Sequence, residues 1–222
     1  MEVELITYTM GCEDVVERAA AVCYDSMPTK GHRIAASCAR SGHMSVWEHL
    51  NFTFHISGVS RALLAQLSRH RHISLSVRSQ RYCSEEGFGY VTPDVIAKDG
   101  IENMVYDEIM EDLRDAYRTL QTDGIPNEDA RSVLPNACCT ELYMTANARA
   151  LIEMSRLRLC TRAQKEIREL FQELKKGVAN VAPMVADLMV PKCEQFRDAY
   201  FCTEEKGCGK HPRLRDIVKK EE

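Results

Sequence analysis

The chain has 222 residues, with 29 Lys and Arg against 33 Asp and Glu and a formal charge of −4. That balance excludes a protein that coats nucleic acid with its whole surface, and the lack of a long uncharged apolar run excludes a spanning helix. Glu2 and Glu4 stand where an export signal would carry Lys or Arg, so a cytoplasmic protein with no membrane partner is expected.

Residues 3–8 alternate and carry β-branched positions, which predicts a first strand. Helices are expected over 12–24 and 31–41, the second closed by Gly42 as a C-cap. Alternation over 47–57 predicts a second strand. A short helix over roughly 59–68 follows, with Leu63, Leu64 and Leu67 on one side. Residues 83–101, rich in Gly and acids, read as a loop. Helical periodicity runs through 102–122, and 127–134 reads as a short helix stopped by Pro135. Long helices are expected over 140–158 and 162–180, with Thr161 as N-cap of the second, and a weaker one over 183–190. From Cys193 the sequence turns polar and reads as a loose tail. Helices outweigh strands in an α+β order. No linker-like stretch divides the chain, so one domain over 1–192 with a polar tail over 193–222 is expected.

The charge is not spread evenly. From His49 to Cys83 there is no Asp, Glu or Lys, yet Arg61, Arg69, Arg71, Arg78 and Arg81 fall inside that window. Several guanidiniums with a hydroxyl and no local carboxylate suit phosphate recognition by bidentate hydrogen bonds. If the helix reaches residue 69, Arg61, Ala65 and Arg69 share one face. Past the helix, Arg69 and Arg71 would point the same way as an extended pair. The alternative is that each arginine pairs with a distant Glu or lies on a solvated face.

The order of residues narrows the choice. Arg69-His70-Arg71, seven residues, Ser79 and then Arg81-Tyr82 closely resemble the signature of the flavin-dependent thymidylate synthases. Gly42-His43-x-Ser45-x-x-Glu48-His49 resembles an upstream block of that family, and Ser60-Arg61 and Gln66 sit where it places residues on the helix entering the signature. Arg131-x-x-Leu134-Pro135, Thr145-x-Asn147-x-Arg149, Leu157-Arg158 and Ala163-Gln164-x-Glu166-Ile167 resemble its later blocks, and the likeness covers roughly residues 1–190 in order.

The resemblance implies an α/β fold of α+β type, a mixed, mainly antiparallel sheet flanked by helices. It implies reductive methylation of dUMP to dTMP, with methylenetetrahydrofolate as carbon donor and FAD reduced by NADPH. It implies that no enzyme nucleophile is used, that reduced flavin delivers hydride to the pyrimidine, and that a homotetramer carries active sites between subunits. For this chain it implies His43, Ser45, Arg69, His70, Arg71, Asn147 and Arg149 at FAD, with Arg162 at the flavin's rim. Arg61, Gln66, Arg69, Ser79, Gln80, Arg81, Arg131 and Arg158 are implied at the nucleotide, and Arg158, Ser79 and His43 nearest the chemistry. An arginine there would stabilise developing enolate charge. Two departures stand out: Ser76-Val77 replace the Asn-Glu of many members, and Glu153 stands where some have Asn. No GxGxxG fingerprint is present, which argues against a Rossmann domain. The same fold acting on another pyrimidine nucleotide, or a non-catalytic nucleotide- or RNA-binding protein, are the alternatives; with the leading reading no nucleic-acid partner is expected.

Ten cysteines without a CxxC pair read as reduced thiols, several of them small core residues. Cys193, Cys202, Cys208 and His211 form a donor set suited to tetrahedral zinc, but the spacing x8, x5, x2 matches no familiar finger, so no metal is expected.

Overall fold

The computed structural model describes residues 1–98, 100–196 and 198–218. Strand β1 (Glu2–Tyr8) leads into helices α1 (Cys12–Cys23) and α2 (Arg33–Ser41). A 3₁₀ turn over Ser45–His49 precedes β2 (Asn51–Ser60), α3 (Arg61–Leu67) and β3 (Ile73–Val77). Next come α4 (Ile101–Thr122), α5 (Asn127–Ala130), β4 (Cys139–Asn147) and α6 (Ala148–Arg158). The chain continues through α7 (Lys165–Ala179), α8 (Pro183–Leu188) and α9 (Leu214–Val218). The sheet is antiparallel with strand order β1-β2-β4-β3, the α+β architecture expected.

Four expectations differ from the structure. Residues 140–147 are strand, not the first half of a helix. Thr140, Leu142, Met144 and Ala146 are buried, while Glu141, Tyr143 and Thr145 between them are not, a period of two rather than 3.6. The helix begins only at Ala148, where the Asn147 side chain accepts a hydrogen bond from the Ala150 N–H at 2.8 Å. Strand β3 was not foreseen; its Ile-Ser-Leu-Ser-Val alternation lies hidden in the arginine-rich stretch. β2 starts at Asn51 because residues 45–49 form the 3₁₀ turn. Thr161 is not a cap: α7 starts at Lys165 with Gln164 in the N-cap position. The polar tail contains a 3₁₀ turn over Lys192–Glu194, a bridge between Cys202 and Arg213, and α9.

Two compact units group the described residues. The first comprises Met1–Glu2, His55–Arg69 and Leu75–Tyr143. Its core joins Phe88, Met110 and Cys138, flanked by Tyr90, Tyr106, Leu113 and Leu134. The Tyr117 hydroxyl accepts the Glu85 backbone N–H at 3.1 Å, tying the 83–101 loop to α4. Gly58 has φ of +65°, and a Cβ there would lie 3.2 Å from the Met1 nitrogen, so the chain start approaches β2 only because this position is Gly.

The second unit comprises Val3–Phe54, His70–Ser74 and the chain from Met144 onward. Helix α7 buries Ile167, Leu170, Phe171, Leu174 and Val178, the spacing of an amphipathic helix. Burying these side chains stabilises the unit by roughly 1.5–3 kcal/mol each relative to exposure. The Glu17 carboxylate of α1 is buried and accepts from the Thr29 N–H at 2.9 Å, the Thr29 hydroxyl at 2.6 Å and the Ala35 N–H at 2.8 Å. It thereby fixes the entry to α2, at whose other end His43 lies. Among the described residues no helix is long and apolar enough to cross a membrane.

Candidate functional site

In the first unit the Ser60 side chain caps α3 by accepting the Leu63 N–H at 3.0 Å, which sets Arg61 at the helix start. Arg61 Nη2 donates to the Arg78 carbonyl at 2.8 Å. Its Nε is buried and has no acceptor among the described residues. Burial holds this guanidinium's pKa below its ordinary value, and Arg131 and Arg78 push the same way against Glu85 and Cys138. An orphaned charged donor beside further arginines is an anion receptor in waiting.

The helix stops at Leu67, so Arg69 lies past it and does not share a helical face with Arg61. The chain turns over residues 68–72, with His72 at φ +63°, so Arg69 and Arg71 are not an extended pair. Arg69 and Arg71 are exposed and make no ion pair among the described residues. Gln66 donates to the Ala62 carbonyl of its own helix at 3.4 Å.

Carboxylates from outside the acid-free window reach the other two arginines. Arg78 Nε lies 3.4 Å from buried Glu85, and Arg81 lies 2.9 Å from Glu128 and over the Tyr82 ring. Glu85 is a residue that motif reasoning missed, because it belongs to a segment read only as loop. Ser79 Oγ accepts the Arg81 N–H at 3.2 Å. The Gln80 amide lies 3.9 Å from the Cys138 sulfur, and Arg131 Nε donates to the Glu128 carbonyl at 3.1 Å. Burial, with Glu85 adding, raises the Cys138 thiol to about 11, so it is protonated at neutral pH.

In the second unit Gly42 caps α2 at φ +72° and the His43 N–H returns to the Cys38 carbonyl at 2.9 Å; His43 and Ser45 are exposed. The implied FAD ligand Asn147 spends its amide oxygen on capping α6. Arg149 bonds Glu48 at 2.5 Å and Glu153 at 2.8 Å, and these two hydrogen bonds raise its pKa. A cavity of about 270 Å³ is lined by Glu48, His72, Asn147, Arg149, Ala150 and Glu153. Glu48 and Glu153 were visible in the sequence, but pairing to Arg149 was not. Arg158 Nε donates to His70 Nε2 at 2.8 Å; burial first, and Arg158 second, hold the imidazole below its ordinary pKa. Arg162 is exposed in the turn before α7, 3.5 Å from Glu204. Val77 offers no polar atom, and Ser76 is exposed on β3.

Residues 4–184 match the family model described as thymidylate synthase complementing protein. A flavin-dependent thymidylate synthase from Geobacter sulfurreducens is 42% identical over 87% of this chain and 88% of its own length. One from Clostridium tetani is 37% identical over 98% and 96%. Among solved structures, thymidylate synthase X from Helicobacter pylori with FAD and dUMP superposes with a TM-score of 0.71 at 29% identity, covering 85% of this chain and 99% of that one. A UMP/dUMP methylase from Streptomyces cacaoi, at 24% identity and TM-score 0.72, shares the fold. Fold and motif order thus define an enzyme of nucleotide methylation. The chain belongs to the flavin-dependent thymidylate synthase family.

Proposed function

We propose that this enzyme methylates dUMP to dTMP, with methylenetetrahydrofolate as carbon donor and FAD reduced by NADPH. The observation that carries the reading is Arg61: a buried, unpartnered guanidinium nitrogen at the head of the helix entering the signature, where a nucleotide phosphate would supply the missing acceptor. The relatives' dependence on flavin, and the FAD and dUMP held by the Helicobacter pylori structure, support the same assignment.

Bound FAD supplies the redox chemistry. On this chain Arg69 and Arg71, which pair with no carboxylate among the described residues, suit its phosphates better than Arg149, whose charge Glu48 and Glu153 already offset. His43, Ser45 and the free Asn147 amide nitrogen are assigned to the flavin, with Arg162 at its rim. At the nucleotide, Arg61 and Arg81 bind phosphate, with Arg81 exchanging Glu128 for it. Gln66, Gln80 and Arg131 complete the contacts. Arg158 is assigned to the pyrimidine carbonyl, where a guanidinium would stabilise developing enolate charge.

The protein contributes binding and orientation, not a nucleophile. Ser79 Oγ accepts a backbone N–H and has no histidine bonded to it among the described residues, and Cys138 stays protonated. Assembly as a homotetramer is supported by α4, where Ile101, Met104, Val105 and Ile109 form an exposed apolar stripe at helical spacing. Ten free thiols suit a reducing, cytoplasmic setting.

The visible spectrum of the purified protein, followed by tritium release from [5-³H]dUMP, tests the proposal. Oxidised-flavin bands and folate-dependent release are expected. No flavin retained after FAD is added, or no release from the flavin-loaded enzyme, would overturn it.

A further inference from the structure

We infer that Cys193, Cys202, Cys208 and His211 form a structural zinc site that fastens the C-terminal segment beside the end of α6. The Cys193 sulfur, a Glu194 carboxylate oxygen and a His211 ring nitrogen lie within 4.8 Å of one another. Cys202 and Cys208 lie outside that close trio but line the same cavity of about 330 Å³, together with Lys210 and Cys160. The backbone gathers these residues from three short pieces. The Phe201 N–H bonds the Cys193 carbonyl at 3.2 Å, and Cys202 exchanges bonds with the 212–214 stretch at 2.8 and 2.9 Å. Gly207 passes so close to Cys202 that a Cβ would lie 3.4 Å from its sulfur.

Two details point to a metal rather than to idle thiols. Gly209 sits at φ +88°, turning the chain between Cys208 and His211 so that both line the same cavity. His211 Nε2 lies 3.0 Å from Glu194, a carboxylate that orients the ring and leaves Nδ1 for an ion. The Glu194 carboxylate also carries the Lys210 ammonium, so it serves the histidine instead of the metal.

The segment also needs a staple. None of its described residues from 191 to 218 is buried, yet it holds a 3₁₀ turn, a bridge and a helix. A stretch with no core of its own takes its stability from covalent or metal links. On binding, three thiols release protons to solvent, and three thiolates with Zn²⁺ leave a single negative charge. The clamp would hold Thr161 and Arg162 in place, the latter donating to the Lys206 carbonyl at 3.2 Å. Nothing in this argument depends on the methylation chemistry.

Elemental analysis of the full-length protein, purified in thiol reductant without chelators, tests it. About one zinc per chain is expected, falling at least fivefold in the Cys202→Ser/Cys208→Ser variant and unchanged in Cys23→Ser. Limited proteolysis should cut within 193–213 about tenfold faster in the double variant while flavin absorbance persists. Less than about half an equivalent after zinc is added back, full zinc in the double variant, or a disulfide among these thiols with no zinc taken up on reduction would each overturn the assignment.

Discussion

Arg158 Nε donates to His70 Nε2 at 2.8 Å, so the middle residue of the Arg-His-Arg triplet serves the last arginine of α6 as a neutral acceptor. A guanidinium cannot accept, so the imidazole must be unprotonated at Nε2. The pair fixes the direction of a cation that the proposed chemistry needs.

Protonating His70 should therefore release Arg158. Burial and Arg158 both hold the folded imidazole's pKa below its ordinary 6.5, whereas the unfolded chain protonates near that value. Stability from this group is then full above about 6.5 and declines as pH falls below it. The KM for dUMP should rise on the acid side. His70→Ala should lower kcat/KM for dUMP by on the order of tenfold while flavin absorbance is kept, and His70→Gln, which keeps an acceptor, should lose less. Equal losses in both variants would speak against an acceptor role.

Arg61→Lys keeps the charge but not the planar fork or the buried Nε donor. Kd for dUMP should weaken by about tenfold or more, measured by calorimetry on the flavin-loaded enzyme. Unchanged affinity would remove Arg61 from the phosphate site.

Cys138→Ala should keep most dUMP methylation, because a thiol at about 11 supplies almost no thiolate at neutral pH. The same is expected of the other nine cysteines replaced one at a time. Loss of turnover with dUMP and FAD still bound, in any of the ten, would indicate an enzyme nucleophile.

Glu17→Gln should destabilise the protein by about 2–3 kcal/mol, since an amide cannot accept all the donors that the buried carboxylate now satisfies. Burial alone would raise this carboxyl's pKa, but the bonds from Ala35, Thr29 and Ile34 outweigh it and leave it below 4.5. Its contribution is present above about 4.5 and is lost as pH falls through the folded value. Denaturant titrations at neutral pH and near pH 4 should show a gap between wild type and variant that narrows in acid.

Met104→Glu with Ile109→Glu places charge on the exposed stripe of α4. Sedimentation should show the proposed tetramer giving way to smaller species, with helical content retained. An unchanged tetramer would assign the interface elsewhere.

Local pattern carried much of the fold. Helices α1, α2, α4 and α7 are legible because each repeats its apolar positions on one face within a few turns. Strand β4 is not: Thr140, Leu142, Met144 and Ala146 share a period of two, but the apolar run through Arg158 also satisfies a helix, and the sheet partner that breaks the tie is distant in sequence. The Arg-His-Arg and Ser-x-Arg signature was readable because motif order is a property of the chain.

By itself the sequence determined which chemistry the protein carries: an acid-free run of arginines, ordered as in one family of nucleotide-methylating enzymes. Only the tertiary structure decided which of those arginines are open to a ligand. Arg78 and Arg81 meet Glu85 and Glu128, Arg149 meets Glu48 and Glu153, and Arg61 Nε is left buried with no acceptor among the described residues. The reason is physical. Charge composition is local to a segment, but Coulombic pairing depends on distance in space, and folding brings carboxylates from outside the window to some guanidiniums and not to others.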